Sequence, residues 1–404
     1  MGRFTQDTTV FQTEDVLRDS YIPETLIERE EQENDFLEYL KPVINGDIPN
    51  NMFVYGQTGV GKTLSTRMML DELKEDVSNT SGVSLKVLWT NCRDRTSYQS
   101  LVHLVNQFRE PENQISKTGN SSSVVLDALW EEIEACDSTH VLFVLDEVDG
   151  LGNDPNILYE IPRARSNGNV ENTKLGLIGI SSNFTYTDHL KSDVQSSLRQ
   201  EEIHFTPYSV SQLRNILGQR AEEAFYPGVV EESTLAYASA AAGRDTGSAR
   251  HALDILRKAG QLARREESDS VTPDHAERAE SLVQKDRIMD ELRSLPAQSH
   301  LVLWALINLS DDGKTPARTK DIYDVYESVA LAQGETVNSQ RTVHNRLHDL
   351  SLGGFLSAQQ VNKGEGGGKY NTYELQMQTE TVKEVLEEET RVSGGESYTQ
   401  TELN

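Results

Sequence analysis

Eight consecutive residues, Gly56-Gln57-Thr58-Gly59-Val60-Gly61-Lys62-Thr63, limit what this chain can fold into more than anything else in it. They fit G-x-x-x-x-G-K-[ST], the phosphate-binding P-loop. The motif requires a strand before it and a helix after it. The apolar run Asn51-Met52-Phe53-Val54-Tyr55 reads as the buried strand, and Leu64 to Leu73 reads as the helix. The expected anion cradle is the backbone from Gly56 through Thr58, Gly59, Val60 and Gly61 to Leu64, where glycines let N–H groups curl inward and the helix start adds its positive dipole end. Lys62 is placed to reach the β- and γ-phosphates, and the Thr63 hydroxyl to hold Mg²⁺.

A second signal is His140-Val141-Leu142-Phe143-Val144-Leu145-Asp146-Glu147. A continuously apolar strand is covered on both faces, as in a parallel sheet. Its end delivers two carboxylates to the carboxyl edge, where open α/β sheets bind ligands. Asp146 is the candidate for Mg²⁺, directly or through water. Glu147 is the candidate general base for an attacking water. Lys86 to Thr90, Leu175 to Asn183 and Ile203 to Phe205 read as further strands separated by helices, so the expected fold is an α/β parallel sheet. Residues 1–20 read as polar and loosely held. From Ser211 to about Asp290 the pattern is helical; Ala252, Ile255, Leu256, Ala259 and Leu262 make a core stripe, with Arg250 starting that helix off the stripe.

Composition matters where it bears on partners. The chain of 404 residues carries a net charge of −27, which phosphate would repel. Either an acidic partner-binding surface or adaptation to concentrated salt accounts for it; the excess is spread along the chain, which favours the second. No apolar run approaches membrane-spanning length, and the first residues lack a signal-peptide core. The expectation is a cytoplasmic protein without a membrane partner. Cys92 and Cys136 have no metal spacing and read as reduced thiols.

The ordered set of motifs resembles the archaeal origin-recognition initiators, the ORC-type AAA+ ATPases. The matching residues are Tyr21-Ile22-Pro23-Glu24 with Arg29-Glu30, the P-loop, Thr90-Asn91-Cys92-Arg93, Leu145-Asp146-Glu147-Val148-Asp149, Ile178-Gly179-Ile180-Ser181, Val194-Gln195-Ser196-Ser197-Leu198, Pro207-Tyr208, and Gly247-Ser248-Ala249-Arg250 running into Ala252-Leu253-Asp254-Ile255-Leu256-Arg257. The resemblance implies an AAA+ base over 1–210, a helical lid over 211–290 and a winged-helix DNA-binding domain over 291–377; the acidic, polar composition of 378–404 reads as a disordered tail. It implies ATP and Mg²⁺ as ligands, with Arg250 as the lid's sensor-2 arginine and Tyr208 and Arg220 as lid-side nucleotide contacts. It further implies double-stranded origin DNA and an MCM-type replicative helicase as partners, with a monomer in solution and several copies on DNA.

Two positions depart from the family pattern. At the fourth strand's tip the family has a sensor-1 Asn; here Ser182 takes that place and Asn183 follows, so either a one-residue slip restores the contact or Ser182 makes a shorter one. Before Val194 the family often has Pro-Arg, the arginine acting on a neighbour's ATP; here stand Ser192 and Asp193, with Arg199 out of register. Slow turnover is the expectation. The rival reading is an initiator paralogue that regulates transcription or replication with little ATPase activity.

Residues 291–375 hold ten acids against eight Lys/Arg, a net of about −2, the least repulsive part of the chain toward phosphate. Ser339 to Leu350 reads as a helix with Val343, Leu347 and Leu350 inward, which turns Arg341, Asn345 and His348 outward. The glycine-rich stretch Lys363 to Tyr370 reads as a hairpin tip. Arg341, Asn345 and His348 on the helix, with Lys363 and Lys369 on the hairpin, are the candidate DNA contacts. Beyond residue 376 a short helix near Val382 to Leu386 is the one pattern expected.

Overall fold

The strand before the P-loop, β1 (Met52–Gly56), is buried along its whole length. Around it, β2 (Leu85–Asn91), β3 (His140–Asp146), β4 (Lys174–Ser181) and β5 (Glu201–Phe205) complete a five-stranded sheet of order β2-β3-β4-β1-β5. Every pairing is parallel. This is a computed structural model, and it describes residues 10–152, 155–198, 200–362, 369–377 and 379–388. The chain divides into two units, Met1–Glu280 and Ser281–Asn404.

In the first unit the helices are α1 (Glu30–Ile44), α2 (Lys62–Ser78), α3 (Ser97–Asn106), α4 (Ser122–Ala135), α5 (Asn156–Arg163) and α6 (Ser192–Leu198). Alternate strand residues point to opposite faces. Phe53, Tyr55, Phe143, Leu145 and Leu177 join one core with Leu101, Leu129, Ile133, Ile161 and Val194. Met52, Val54, Leu142, Val144, Ile178 and Ile180 are equally buried on the other face. Both faces being covered is why these strands read as continuous apolar runs rather than alternating ones.

The lid follows as α7 (Val210–Ala224), α8 (Glu232–Asp245) and α9 (Ala249–Arg265), and the helical run ends in α10 (Pro273–Ser294). A capping box from Ser209 and Gln212 starts α7, and the Ser248 side chain caps α9 by accepting from the His251 N–H. Residues 10–20 are not loosely held, as their polarity suggests. Val10, Phe11, Val16 and Leu17 are buried. The Phe11 ring stacks on Phe225 at 4.7 Å, while the Gln12 N–H donates to the Ala224 carbonyl and the Tyr226 N–H to that of Val10. Four apolar residues spaced through a polar stretch were enough to strap it to the lid.

The second unit has α11 (Ala297–Asp311), β6 (Ala317–Arg318), α12 (Thr319–Ala332), α13 (Gln340–Leu352), β7 (Leu356–Asn362), β8 (Lys369–Leu375) and α14 (Thr379–Glu388). The strands form an antiparallel sheet of order β6-β8-β7, a winged-helix arrangement. Its core takes Leu303, Leu306, Ile322, Tyr326, Val343, Leu347 and Tyr373. Within the stretch expected as a tail, Thr379–Glu388 forms α14, and its Val382, Val385 and Leu386 are buried in this same core. A short helix near Val382 to Leu386 was expected, but not that its apolar residues had a core to dock in.

Candidate nucleotide site

The sheet order decides what meets what. Lying between β1 and β3, β4 carries its tip between the P-loop and the acidic end of β3. The register pairs Tyr55 with Ser181 and Asn91 with Asp146, so four strand ends finish at one edge. Above that edge lies a cavity of about 540 Å³, lined by Gly59, Lys62, Thr63, Asp146, Glu147 and Ser182 on one side. Tyr21, Ile22, Tyr208, Arg220, Ala249 and Arg250 line the other.

Lys62 is buried, its Nζ donating to the carbonyls of Gly56 (2.5 Å) and Gln57 (2.8 Å) and to Ser182 Oγ (3.3 Å). Burial pulls its pKa from 10.5 to about 8, against the opposing pull of Asp146 and Asp149. Thr63 Oγ1 donates at 3.2 Å to both Asp146 oxygens. Burial raises the Asp146 carboxyl above its ordinary range, with the Thr63 hydrogen bond opposing. A desolvated carboxylate sharing a hydroxyl, beside a desolvated ammonium, fits a phosphate-bound Mg²⁺, which takes few protein ligands and completes its shell with phosphate and water. The P-loop itself closes against the lid. Gly59 has φ 81, a left-handed conformation, and a Cβ there would stand 2.0 Å from Ser248 Oγ. The Ala249 N–H donates to the Gly59 carbonyl at 3.0 Å.

Glu147 also sits at positive φ, 52, which turns its side chain out of the line of β3. Its carboxylate accepts from Asn91 Nδ2 at 3.2 Å and faces Arg93 Nη1 at 3.8 Å. At the β4 tip no slip occurs. Ser182 Oγ is the group near Lys62 and Thr58 Oγ1, whereas Asn183 Oδ1 accepts from the Thr185 N–H and hydroxyl, both at 3.0 Å. Asp149 Oδ1 fixes this tip through Ser181 Oγ (2.8 Å) and the Ser182 N–H (3.3 Å).

At the lid side, Tyr208 lies under the Arg29 guanidinium, 3.7 Å from its ring centroid. Arg29 donates to the carbonyls of Val60 (3.0 Å) and Thr206 (2.8 Å), tying the P-loop to the turn after β5. The Arg220 guanidinium lies over the Tyr21 ring at 4.7 Å, and its buried Nη1 has no hydrogen-bond partner among the described residues. Burial lowers the pKa of both arginines. A buried donor facing a cavity and lacking an acceptor suits a ligand that supplies one. Arg250 Nε meets Asp19 Oδ2 at 2.7 Å. Val60 and Leu64 sit at their motif positions, Val60 buried and Leu64 lining the cavity.

Sequence reasoning gave no role to Asn91, Arg93, Arg29, Asp149 or Asp19. Asn91 and Arg93 stood in the Thr90–Arg93 motif and Arg29 beside Glu30, so the signal existed without a partner to give it meaning. Asp193, where the family often has arginine, accepts from the Val194 N–H at 2.9 Å and serves as a helix-start residue. Arg199 lies outside the described residues.

In the second unit, Arg341, Asn345 and His348 of α13 are exposed while Val343, Leu347 and Leu350 are buried. Lys369 opens β8 opposite Asn362, and Lys363 lies outside the described residues. Arg318 of β6 stacks over Tyr370 at 4.3 Å, a further cation of this sheet that sequence reading missed.

Comparison with known proteins agrees with this anatomy. Residues 49–184 match the AAA domain, 214–281 the Cdc6 AAA+ ATPase-type lid domain and 290–385 the CDC6 C-terminal winged helix domain. The chain is 45% identical to ORC1-type DNA replication protein 1 of Haloarcula marismortui, over 96% of this chain and 95% of that protein. It is 40% identical to ORC1-type DNA replication protein 10 of Halobacterium salinarum, over 96% and 94%. Among solved structures it is similar to the Aeropyrum pernix ORC1 protein in complex with DNA, at TM-score 0.84 and 32% identity, over 96% of this chain and 99% of that one.

Proposed function

The chain belongs to the ORC1-type DNA replication proteins, AAA+ initiators of the Orc1/Cdc6 kind, and from that premise we propose that it binds origin DNA under the control of ATP, hydrolysing it slowly. The observation that carries this is convergence. Lys62 and Thr63 of the P-loop, Asp146 and Glu147 of β3, Ser182 of β4 and Arg250 of the lid all border one cavity. Lys62 neutralises the β- and γ-phosphates, and Arg250 reaches the terminal phosphate from the lid. Mg²⁺, held by Thr63 and Asp146, supplies charge neutralisation of the phosphates. Glu147 accepts a proton from the attacking water, once it exchanges its Asn91 and Arg93 contacts for that water. Tyr208, Arg220 and the Tyr21–Ile22 stretch border the nucleoside end.

Turnover is slow in this reading for two reasons. Ser182 is shorter than the family's Asn, and position 193 offers a carboxylate where an arginine finger supplies several orders of magnitude. The reaction then acts as a switch, with the ATP-bound form competent for DNA and for an MCM-type helicase. DNA is read by Arg341 and Asn345 in the major groove, beside His348, with Lys363 and Lys369 of the wing on the backbone. The regulatory reading, DNA binding with little ATPase activity, is favoured by the same Ser182 and Asp193. Glu147→Gln separates them. A switch is trapped with ATP, so filter retention of radiolabelled ATP and origin-DNA affinity both rise over wild type. Indifference of DNA binding to the variant and to nucleotide refutes the switch and leaves the regulator.

A further inference from the structure

The lid arginine has a partner nothing above assigns a role. Asp19 and Arg250 both line the nucleotide cavity, Oδ2 of one 2.7 Å from Nε of the other, although 231 positions separate them in the chain. We propose that Asp19 is a positioning residue for Arg250, holding the guanidinium by its Nε edge so that its terminal amino groups are presented to the γ-phosphate. This rests on Arg250 being that contact.

The argument is one of preorganisation. Arginine carries much rotamer entropy, and less is lost on binding when its planar fork is already oriented. Asp19 is able to hold the fork because its own backbone is held. It follows the buried Val16 and Leu17, and it precedes Tyr21, whose hydroxyl donates to Glu223 at 2.6 Å. One turn along α9 from Arg250, Asp254 accepts from Arg257 and adds only a longer-range attraction to the Arg250 charge, while farther along the same helix Gln261 and Arg264 donate to Glu14; the direct contact to Arg250 is that of Asp19. A carboxylate near a triphosphate also repels it. In molar KCl the screening length is about 3 Å, which suppresses that repulsion and leaves the orienting contact, a short-range one, in force.

The test uses the full chain in molar KCl, titrating Mg-ATP and Mg-ADP into wild type, Asp19→Ala, Asp19→Asn, Arg250→Ala and the Asp19→Ala/Arg250→Ala double variant. Asp19→Ala is expected to weaken ATP about three- to tenfold while leaving ADP within about twofold. Asp19→Asn, which keeps an oxygen for Nε, recovers part of the loss. In the Arg250→Ala background Asp19→Ala changes nothing further. Unchanged or tighter ATP binding by Asp19→Ala overturns the proposal, as does an equal loss for ADP or an additive loss in the double variant. If Arg250→Ala itself leaves the ATP-to-ADP ratio unchanged, the reading of Arg250 falls as well. If Arg250→Ala moves the ratio and Asp19→Ala does not, only the present inference is overturned.

Discussion

Lys62 makes the affinity for nucleotide depend on pH in a calculable way. Burial sets its pKa at about 8 rather than 10.5. Phosphate oxygens beside the ammonium favour its charged form and return the pKa to the ordinary lysine range. Between pH 8 and 10.5 the protein then takes up a proton when it binds ATP. At pH 9 roughly a tenth of the free protein carries that proton, so affinity is about tenfold lower than at pH 7, or ~1.4 kcal/mol. At pH 8.5 about three-quarters of a proton is taken up per site. Calorimetry in buffers of differing ionisation enthalpy measures that number directly, and Lys62→Arg, whose charge does not titrate, lacks it. The same shift sets stability without ligand. The unfolded lysine holds its proton to higher pH than the folded one, so stability rises with pH across this window. The burden of the buried ammonium, about 3 kcal/mol, is full below pH 8 and gone above 10.5. Proton uptake below about 0.2 at pH 8.5, or uptake equal in Lys62→Arg, refutes the reasoning.

Gly59→Ala is expected to weaken Mg-ATP about tenfold by calorimetry, since a left-handed alanine costs about 1–2 kcal/mol and its methyl meets Ser248; adding Ser248→Gly relieves the collision but not the backbone cost. Phe11→Ala removes a ring packed on Phe225 and against Gly260, and should destabilise the first unit by about 3 kcal/mol in denaturant titrations followed by circular dichroism. An effect under ~0.5 kcal/mol would show the N-terminal strap to be ornamental. Asn345→Ala should narrow the gap between origin and random DNA by about 1–3 kcal/mol in fluorescence anisotropy.

Local chemistry was legible and distant partnership was not. The P-loop and the Asp146–Glu147 strand end could be read because each motif carries its own context within a few residues. The outward face of α13 could be read because helical period fixes it. By contrast, Arg29 acquires meaning from Thr206, 177 positions away. Glu147 acquires its Asn91 contact across 56 positions. The β4 tip was left between two alternatives, Ser182 or Asn183, and strand register decided it, since Ser181 pairs with Tyr55. Residues 10–20 and α14 were underrated for one shared reason. Each has a small apolar set whose value depends on a surface supplied by another part of the same unit. The acidic excess, read as salt adaptation, agrees with relatives from Haloarcula and Halobacterium, halophilic archaea.

The two thiols differ in a way that bears on how this protein can be studied. Cys92 has no exposed surface, its N–H donates to the Asp146 carbonyl, and burial pushes its thiol up to about 12. Cys136 is half-buried at the end of α4. A maleimide dye at neutral pH therefore attaches to the second alone. The unmodified chain already offers a single-site fluorescent reporter on the AAA+ base, and loss of that selectivity during a reaction would signal that the strand end bearing Asp146 has come open.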